Sequence, residues 1–141
     1  MTDLIRPHGS ETLLPLLLEG DARQAELARA ASLPRHTMTS RETGDVIMLG
    51  IGGFTPLAGF MGRDDWEGVC REMQTAAGVF WPIPVTLSVD EDFAAGLGDG
   101  DEITLCSGET GEIMATMRTR EKYTIDKTFE CEHVFRTADP E

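Results

Sequence analysis

Residues 101–125 read DEITLCSGETGEIMATMRTREKYTI, and the reading of this stretch decides the fold class. DEITLC is a short β-prone run, and SGETG is rich in turn formers. In the run that follows, Ile113, Ala115, Met117, Tyr123 and Ile125 fall on one face, with Thr119 and Glu121 also on it. Arg118, Arg120 and Lys122 fall on the other, solvated face. A period of two is the signal of a half-buried strand. The stretch therefore predicts a β-hairpin whose second strand runs on to Ile125.

Working outward, IPVTLSV (83–89) also alternates, through Val85, Leu87 and Val89, and predicts another strand. DEDFAAGL (90–97) suits one or two helical turns, and DKTFECEHVFRT (126–137) a closing helix with Phe129 and Val134 inward. Towards the N-terminus, the first dozen residues read as an arm or edge strand, and ETLLPLLLEG as a short element interrupted at Pro15. Asp21 is placed to cap a helix through ARQAELARAA, with Pro34 beyond its end. Thr37–Ser40 is β-prone, and RETGDVIMLG predicts a helix ending near Gly50. In GRDDWEGVCREM, Trp66, Val69, Cys70 and Met73 form one apolar helical stripe, and Asp64 with Glu67 resembles a capping box. Short strands mixed with short helices do not make repeating βαβ units. The pattern predicts an α+β fold: a small, mostly antiparallel β pseudo-barrel or curved sheet with short helices packed outside.

A chain of 141 residues, 40% apolar and 26% charged, predicts a single domain over 1–141 with its own core. No apolar run approaches the roughly 20 residues that span a bilayer, and MTDLIRPHGSETLL lacks the features of a secretory leader. Cys70, Cys106 and Cys131 are few and far apart, which reads as reduced thiols in a cytoplasmic protein. Twenty-five acids against 12 bases give a net charge of −13, which argues against nucleic acid and anionic lipid as partners.

GIGGFTPLAGFM, Gly50–Met61, poses the main functional question. GIGGFT fails as a dinucleotide fingerprint, because Thr55 stands where the last glycine belongs and a helix, not a strand, precedes it. A phosphate cradle presents small residues and free amides. Here Phe54, Leu57 and Phe60 would each cost about 1.5–3 kcal/mol in water relative to full burial. The glycines Gly50, Gly52, Gly53 and Gly59 then permit a tight path, and the apolar side chains fill a core or face a neighbouring domain. Beside this loop Arg41, Glu42 and Asp45 form the densest charged cluster, expected to cap the helix and fix the loop.

Other constellations are weaker. SVDEDFAAGLGDGDE lacks the spacing of a calcium loop from either Asp90 or Asp99. His8, His36 and His133 are isolated, and Glu130 with His133 reads as a surface pair on one helix face. No nucleophile motif occurs, and no catalytic, cofactor-binding or metal residue is assigned.

Several passages together resemble one family. IRPHGS is similar to the start of the ATP sulfurylases (sulfate adenylyltransferases), and SRETGDVIMLGIGGFTPLAGFM to their most recognisable N-terminal motif. WPIPVTL, GDEITL and EKYTIDKTFECEHVFRTADPE follow in the family's order and spacing, so that the resemblance runs from Ile5 to Glu141. It is weakest over residues 11–36, and Ser10 stands where many relatives have a second glycine.

The resemblance implies an N-terminal PUA-like domain, a small pseudo-barrel with helices, that is followed in the family by a catalytic nucleotidyltransferase domain. That second domain carries Q-x-R-N-P, H-x-x-H and G-R-D-H type motifs, none of which occurs here. The parent reaction joins ATP and sulfate into adenosine 5′-phosphosulfate and pyrophosphate. The ATP and Mg2+ it uses are expected in the catalytic domain, with no cofactor in this chain. The implied role is to scaffold that domain, with a possible homo-oligomer of the parent as a further partner. Two alternatives stand beside it: restoration of activity to a separate catalytic domain in trans, and a PUA-like binding module for RNA or another partner. Against RNA stand the charge of −13 and an aromatic content of only 6%.

Overall fold

The computed structural model describes residues 4–139. The start of the expected N-terminal arm and the last two residues of the ADPE match lie outside them. Within this range the chain divides into two compact units. The first runs up to Gly59 and includes Leu87–Arg120; the second comprises Phe60–Thr86 and the chain from Glu121 on.

The first unit is built on a three-stranded sheet in the order β1 (Arg35–Met38), β2 (Glu102–Ser107), β3 (Ile113–Arg118). Together with its helices this is an α+β structure. The β2–β3 hairpin is as its sequence predicts: Ser107 N donates to the Glu112 carbonyl (2.9 Å) and Gly111 N to the Ser107 carbonyl (2.9 Å). Gly111 takes the left-handed backbone (φ +73°) that closing this loop demands. The sheet is mixed, since β1 pairs with β2 in parallel, from Arg35 opposite Thr104 to Met38 opposite Ser107. A parallel pair needs a long crossover, and here everything between Met38 and Glu102 provides it. As the middle strand, β2 is buried on both faces: Ile103, Thr104, Leu105 and Cys106 are all in the core.

Two expected strands are shorter or absent. β3 stops at Arg118, opposite the start of β2 at Glu102; the last pairings beyond it are Thr119 N to the Asp101 carbonyl (2.7 Å) and Gly100 N to the Thr119 carbonyl (2.8 Å). Beyond Arg120 the chain enters the second unit, and the alternation through Tyr123 and Ile125 has no strand to pair with. IPVTLSV is no strand either. Pro82 and Pro84 remove two donors, and the amides of Val85 and Ser88 go to side chains, Met61 Sδ (3.4 Å) and Glu42 Oε1 (2.9 Å). The N-terminal segment through residue 19 likewise has no regular element among its described residues.

Helix α1 (Gly20–Ala30) packs beside β3, and α2 (Ser40–Gly50) beside all three strands. α4 (Glu91–Ala95) is the short helix expected before β2. Asp21 does not cap α1; it lies in the first turn, and the N-cap is Glu19, whose side chain makes no capping bond. A carboxylate there still favours the positive end of the helix. α1 is tied to the sheet through Arg29, which binds Glu26 on its own helix (Nε–Oε2 3.0 Å) and Glu102 on β2 (Nη1–Oε2 2.5 Å). The Thr116 hydroxyl of β3 donates to Glu26 Oε1 (2.6 Å). These bonds hold the Glu26 carboxyl down to about 2, Arg29 contributing most and Thr116 next.

The second unit pairs α3 (Arg63–Glu72) with α5 (Lys127–Val134). Trp66, Val69 and Cys70 are buried as their spacing predicts. Met73 is not: it is the C-cap, in a left-handed conformation (φ +53°) that turns it off the stripe, and it is exposed. The Asp64–Glu67 capping box does not form, because α3 starts two residues earlier than that box requires, with Gly62 as N-cap. Asp126 caps α5, accepting from Phe129 N (3.0 Å). Phe129 is half-buried against Trp66 (ring centroids 5.6 Å apart), with the Arg71 guanidinium 4.8 Å over its ring. Trp66 Nε1 donates to Glu130 Oε2 (2.5 Å), and Tyr123 OH to the Met61 carbonyl (2.7 Å).

Candidate functional site

The charged cluster and the glycine loop lie at opposite ends of α2. At its start, Thr39 and Glu42 form the capping box that the sequence suggested for α3. Glu42 N donates to Thr39 Oγ1 (3.3 Å), and Thr39 N to Glu42 Oε2 (2.9 Å). Glu42 is only 2% exposed, and its other oxygen takes the Ser88 amide. One carboxylate thus closes the helix start and anchors the extended segment that leads towards α4. Arg41 Nη1 binds Asp45 Oδ2 (2.9 Å) and its Nη2 lies 3.7 Å from Glu42 Oε1. Burial pushes the Asp45 carboxyl above its usual range; Arg41 pulls it down, and the Glu42 charge raises it further. The three residues come together as capping and pairing groups at the start of α2, and the glycine loop they were expected to fix lies at its other end.

At its far end α2 passes into the glycine loop. Ile51 N donates to the Ile47 carbonyl (3.1 Å), Gly52 N to Leu49 (3.3 Å) and Gly53 N to Met48 (2.8 Å). Thr55 N then bonds the Gly52 carbonyl (3.2 Å) and Leu57 N the Phe54 carbonyl (2.7 Å). Thr55 is buried; its hydroxyl donates to the Gly52 carbonyl (2.7 Å) and accepts from Leu14 N (2.9 Å). The peptide bond from Thr55 to Pro56 is cis. Five amides of the loop are therefore committed to carbonyls, three of the last turn of α2 and two of the loop itself, and Arg41 is paired with acids. These residues do not fit a nucleotide triphosphate or its magnesium. Leu57 is buried, and Phe54 and Phe60 are half-buried. The boundary between the two units falls inside the loop, after Gly59.

The remaining candidates separate. Glu130 and His133 do not pair with each other: Glu130 accepts from Trp66, and His133 Nδ1 binds the Phe129 carbonyl (2.8 Å). In the acidic stretch, Asp101 Oδ2 accepts from Gly98 N (2.7 Å), a local turn bond. Among the described residues no group of three or more His, Cys, Asp and Glu is placed to hold a metal ion, and no helix is long and apolar enough to cross a membrane. All three cysteines are free thiols.

Sequence reasoning missed two features. One is the Glu26–Arg29–Glu102–Thr116 network: Glu26 and Arg29 are three apart on one helix, but no spacing signal ties them to Glu102 and Thr116 far along the chain. The other is the position of Leu13–Leu18, an uncharged apolar run that does have a signal, since six such residues in a row with a proline form neither an amphipathic helix nor an alternating strand.

Comparison with known proteins gives consistent results. A family model described as a PUA-like domain matches residues 5–141. The chain is 59% identical over 141 residues to a sulfate adenylyltransferase of Thiobacillus denitrificans, and 55% identical over 141 residues to one of Ruthia magnifica. It covers 34% of each relative's length, and the matching part is N-terminal. Among solved structures, the hexameric APS kinase from Thiobacillus denitrificans superposes with a TM-score of 0.73 at 32% identity, over 88% of this chain and 24% of that one. The chain thus spans about a third of the length of the curated relatives it matches.

Proposed function

The chain belongs to the PUA-like domain family, and from that membership we propose that it is the non-catalytic N-terminal domain of a sulfate adenylyltransferase, scaffolding a catalytic domain. The observation that carries the reading is the 59% identity over the full 141 residues to the N-terminal third of a relative of that name. The parent reaction joins ATP and sulfate: a sulfate oxygen attacks the α-phosphorus and pyrophosphate leaves. Such a step depends on positioning and on cationic groups around the phosphates. The chemistry, with ATP and Mg2+, belongs to the catalytic domain. Support from this chain's own geometry lies in the glycine loop, five of whose amides bond carbonyls of α2 and of the loop, and in Arg41, which is held by Asp45 and Glu42. The partner is the catalytic domain of the same enzyme, in a protein of the cytoplasm that serves sulfate assimilation or other sulfur metabolism, with homo-oligomers of the whole enzyme.

The test is release of pyrophosphate from ATP and sulfate with magnesium. The purified chain is expected to release none, whereas the same chain extended by the rest of the Thiobacillus denitrificans relative is expected to turn over. Sulfate-dependent turnover by the 141 residues alone would overturn the reading.

A further inference from the structure

The Leu13–Leu18 run is fixed in backbone and uncovered in side chains. Leu14 N donates to the buried Thr55 hydroxyl (2.9 Å), and the amides of Leu16 and Leu17 both donate to the Gly50 carbonyl (3.0 and 3.1 Å). Gly52, with φ +79°, passes so close beneath that a Cβ there would meet the Pro15 nitrogen at 3.2 Å. The segment is therefore seated on the end of α2. Yet Leu13, Leu16, Leu17 and Leu18 are exposed, Leu17 at 63%, and so are Ile47 and Ile51, one helical turn apart at that same end of α2. Single exposed apolar side chains are ordinary, but a set carried by an anchored segment and by the helix end it is bonded to marks a surface made to be covered.

The geometry points to this ledge as the docking surface, within the first unit, for the remaining two thirds of the parent polypeptide. This inference rests on the proposed function. It takes its occupant from the 34% coverage of the relatives' length and from charge. Glu19 closes the leucine run and Asp21 follows, whereas Glu11 on its other side is paired with Arg6 (2.9 Å). Two-fold pairing of the ledge with a second copy would bring together two chains that each carry a net charge of −13. An apolar patch rimmed by Lys and Arg on another part of the polypeptide matches both the leucines and the acids.

Photo-activatable leucine at positions 16 and 17 tests this in two full-length proteins: this chain extended by the rest of the Thiobacillus denitrificans relative, and that relative itself with the label at the aligned positions. The expected result is cross-links to residues beyond the matched 141, in a yield unchanged by dilution. Cross-links between two copies of the matched segment, or none, overturn the docking surface. Pyrophosphate release is followed in the same samples. Turnover without the expected cross-link removes the interface and leaves the proposed function standing. The cross-link without turnover in either protein removes the function and leaves the interface standing.

Discussion

The two units are held by different means. In the first, the fixing groups are polar and far apart in sequence: Glu42 takes the amides of Thr39 and Ser88, and Arg29 joins Glu26 to Glu102. In the second, aromatic rings pack around one helix pair, and Trp66 and Tyr123 each add a single hydrogen bond at a ring edge. An irregular segment offers its backbone no ladder, so buried side chains must receive its amides. A helix pair satisfies its own backbone and needs only packing. Removing one buried acceptor from the first unit should therefore do more damage than trimming one ring of the second.

The largest effect is expected at Glu42. Glu42→Ala leaves the Thr39 and Ser88 amides without their acceptor while the Thr39 cap on residue 42 N remains, at a cost of about 3 kcal/mol, from about 1.5–3 for each hydrogen bond to a charged group. Glu42→Gln keeps one oxygen acceptor and should recover about half of that loss. Urea unfolding measures both, and a loss at Glu42→Ala smaller than that at Trp66 would break the comparison. Trp66→Phe keeps most of the ring and loses the Nε1 bond to Glu130, so a loss of about 1–2 kcal/mol is expected by the same measurement.

Glu26 gives a smaller effect with a distinctive pH dependence. Its carboxyl is lowered in the folded chain, so its stabilisation is present above pH 4.5 and is lost as the pH falls from there to about 2. Because the network lies at the surface, Glu26→Gln should cost only about 0.5–1 kcal/mol near neutral pH. The wild-type and Glu26→Gln unfolding curves should converge in acid; a constant gap between them would contradict the account. The smallest effect on stability is expected for the thiols. Burial, with the Glu130 charge adding to it, pushes the Cys70 thiol up to about 11, whereas Cys131 is only partly buried. Iodoacetamide should label Cys131 first, and Cys70 only as the chain unfolds. Equal rates would argue against the packing of α3.

Local pattern made much of this legible. The hairpin, α2 and the apolar stripe on α3 are each written within about a dozen neighbouring residues, and the structure has them. What was illegible depends on long-range partners. Nothing in RHTM tells that it lies parallel to β2, some sixty residues on. The alternation through Tyr123 and Ile125 is a true period of two, but no strand waits beside it. The capping box was expected at Asp64 and occurs at Thr39, because the two sites share a residue pattern and only the helix start distinguishes them. At the candidate site, Arg41, Glu42 and Asp45 were found from charge density alone. Their third partner, Ser88, could not be found, because an amide donor carries no side-chain signal.

The central claim is that the Gly50–Met61 loop serves structure and does not bind a nucleotide. Its most direct test is an amide NMR titration of the 141-residue chain with ATP and magnesium, and then with sulfate. The account predicts that the resonances of Ile51, Gly52, Gly53, Thr55 and Leu57 stay in place through millimolar ligand. Saturable shifts centred on those five amides would contradict it.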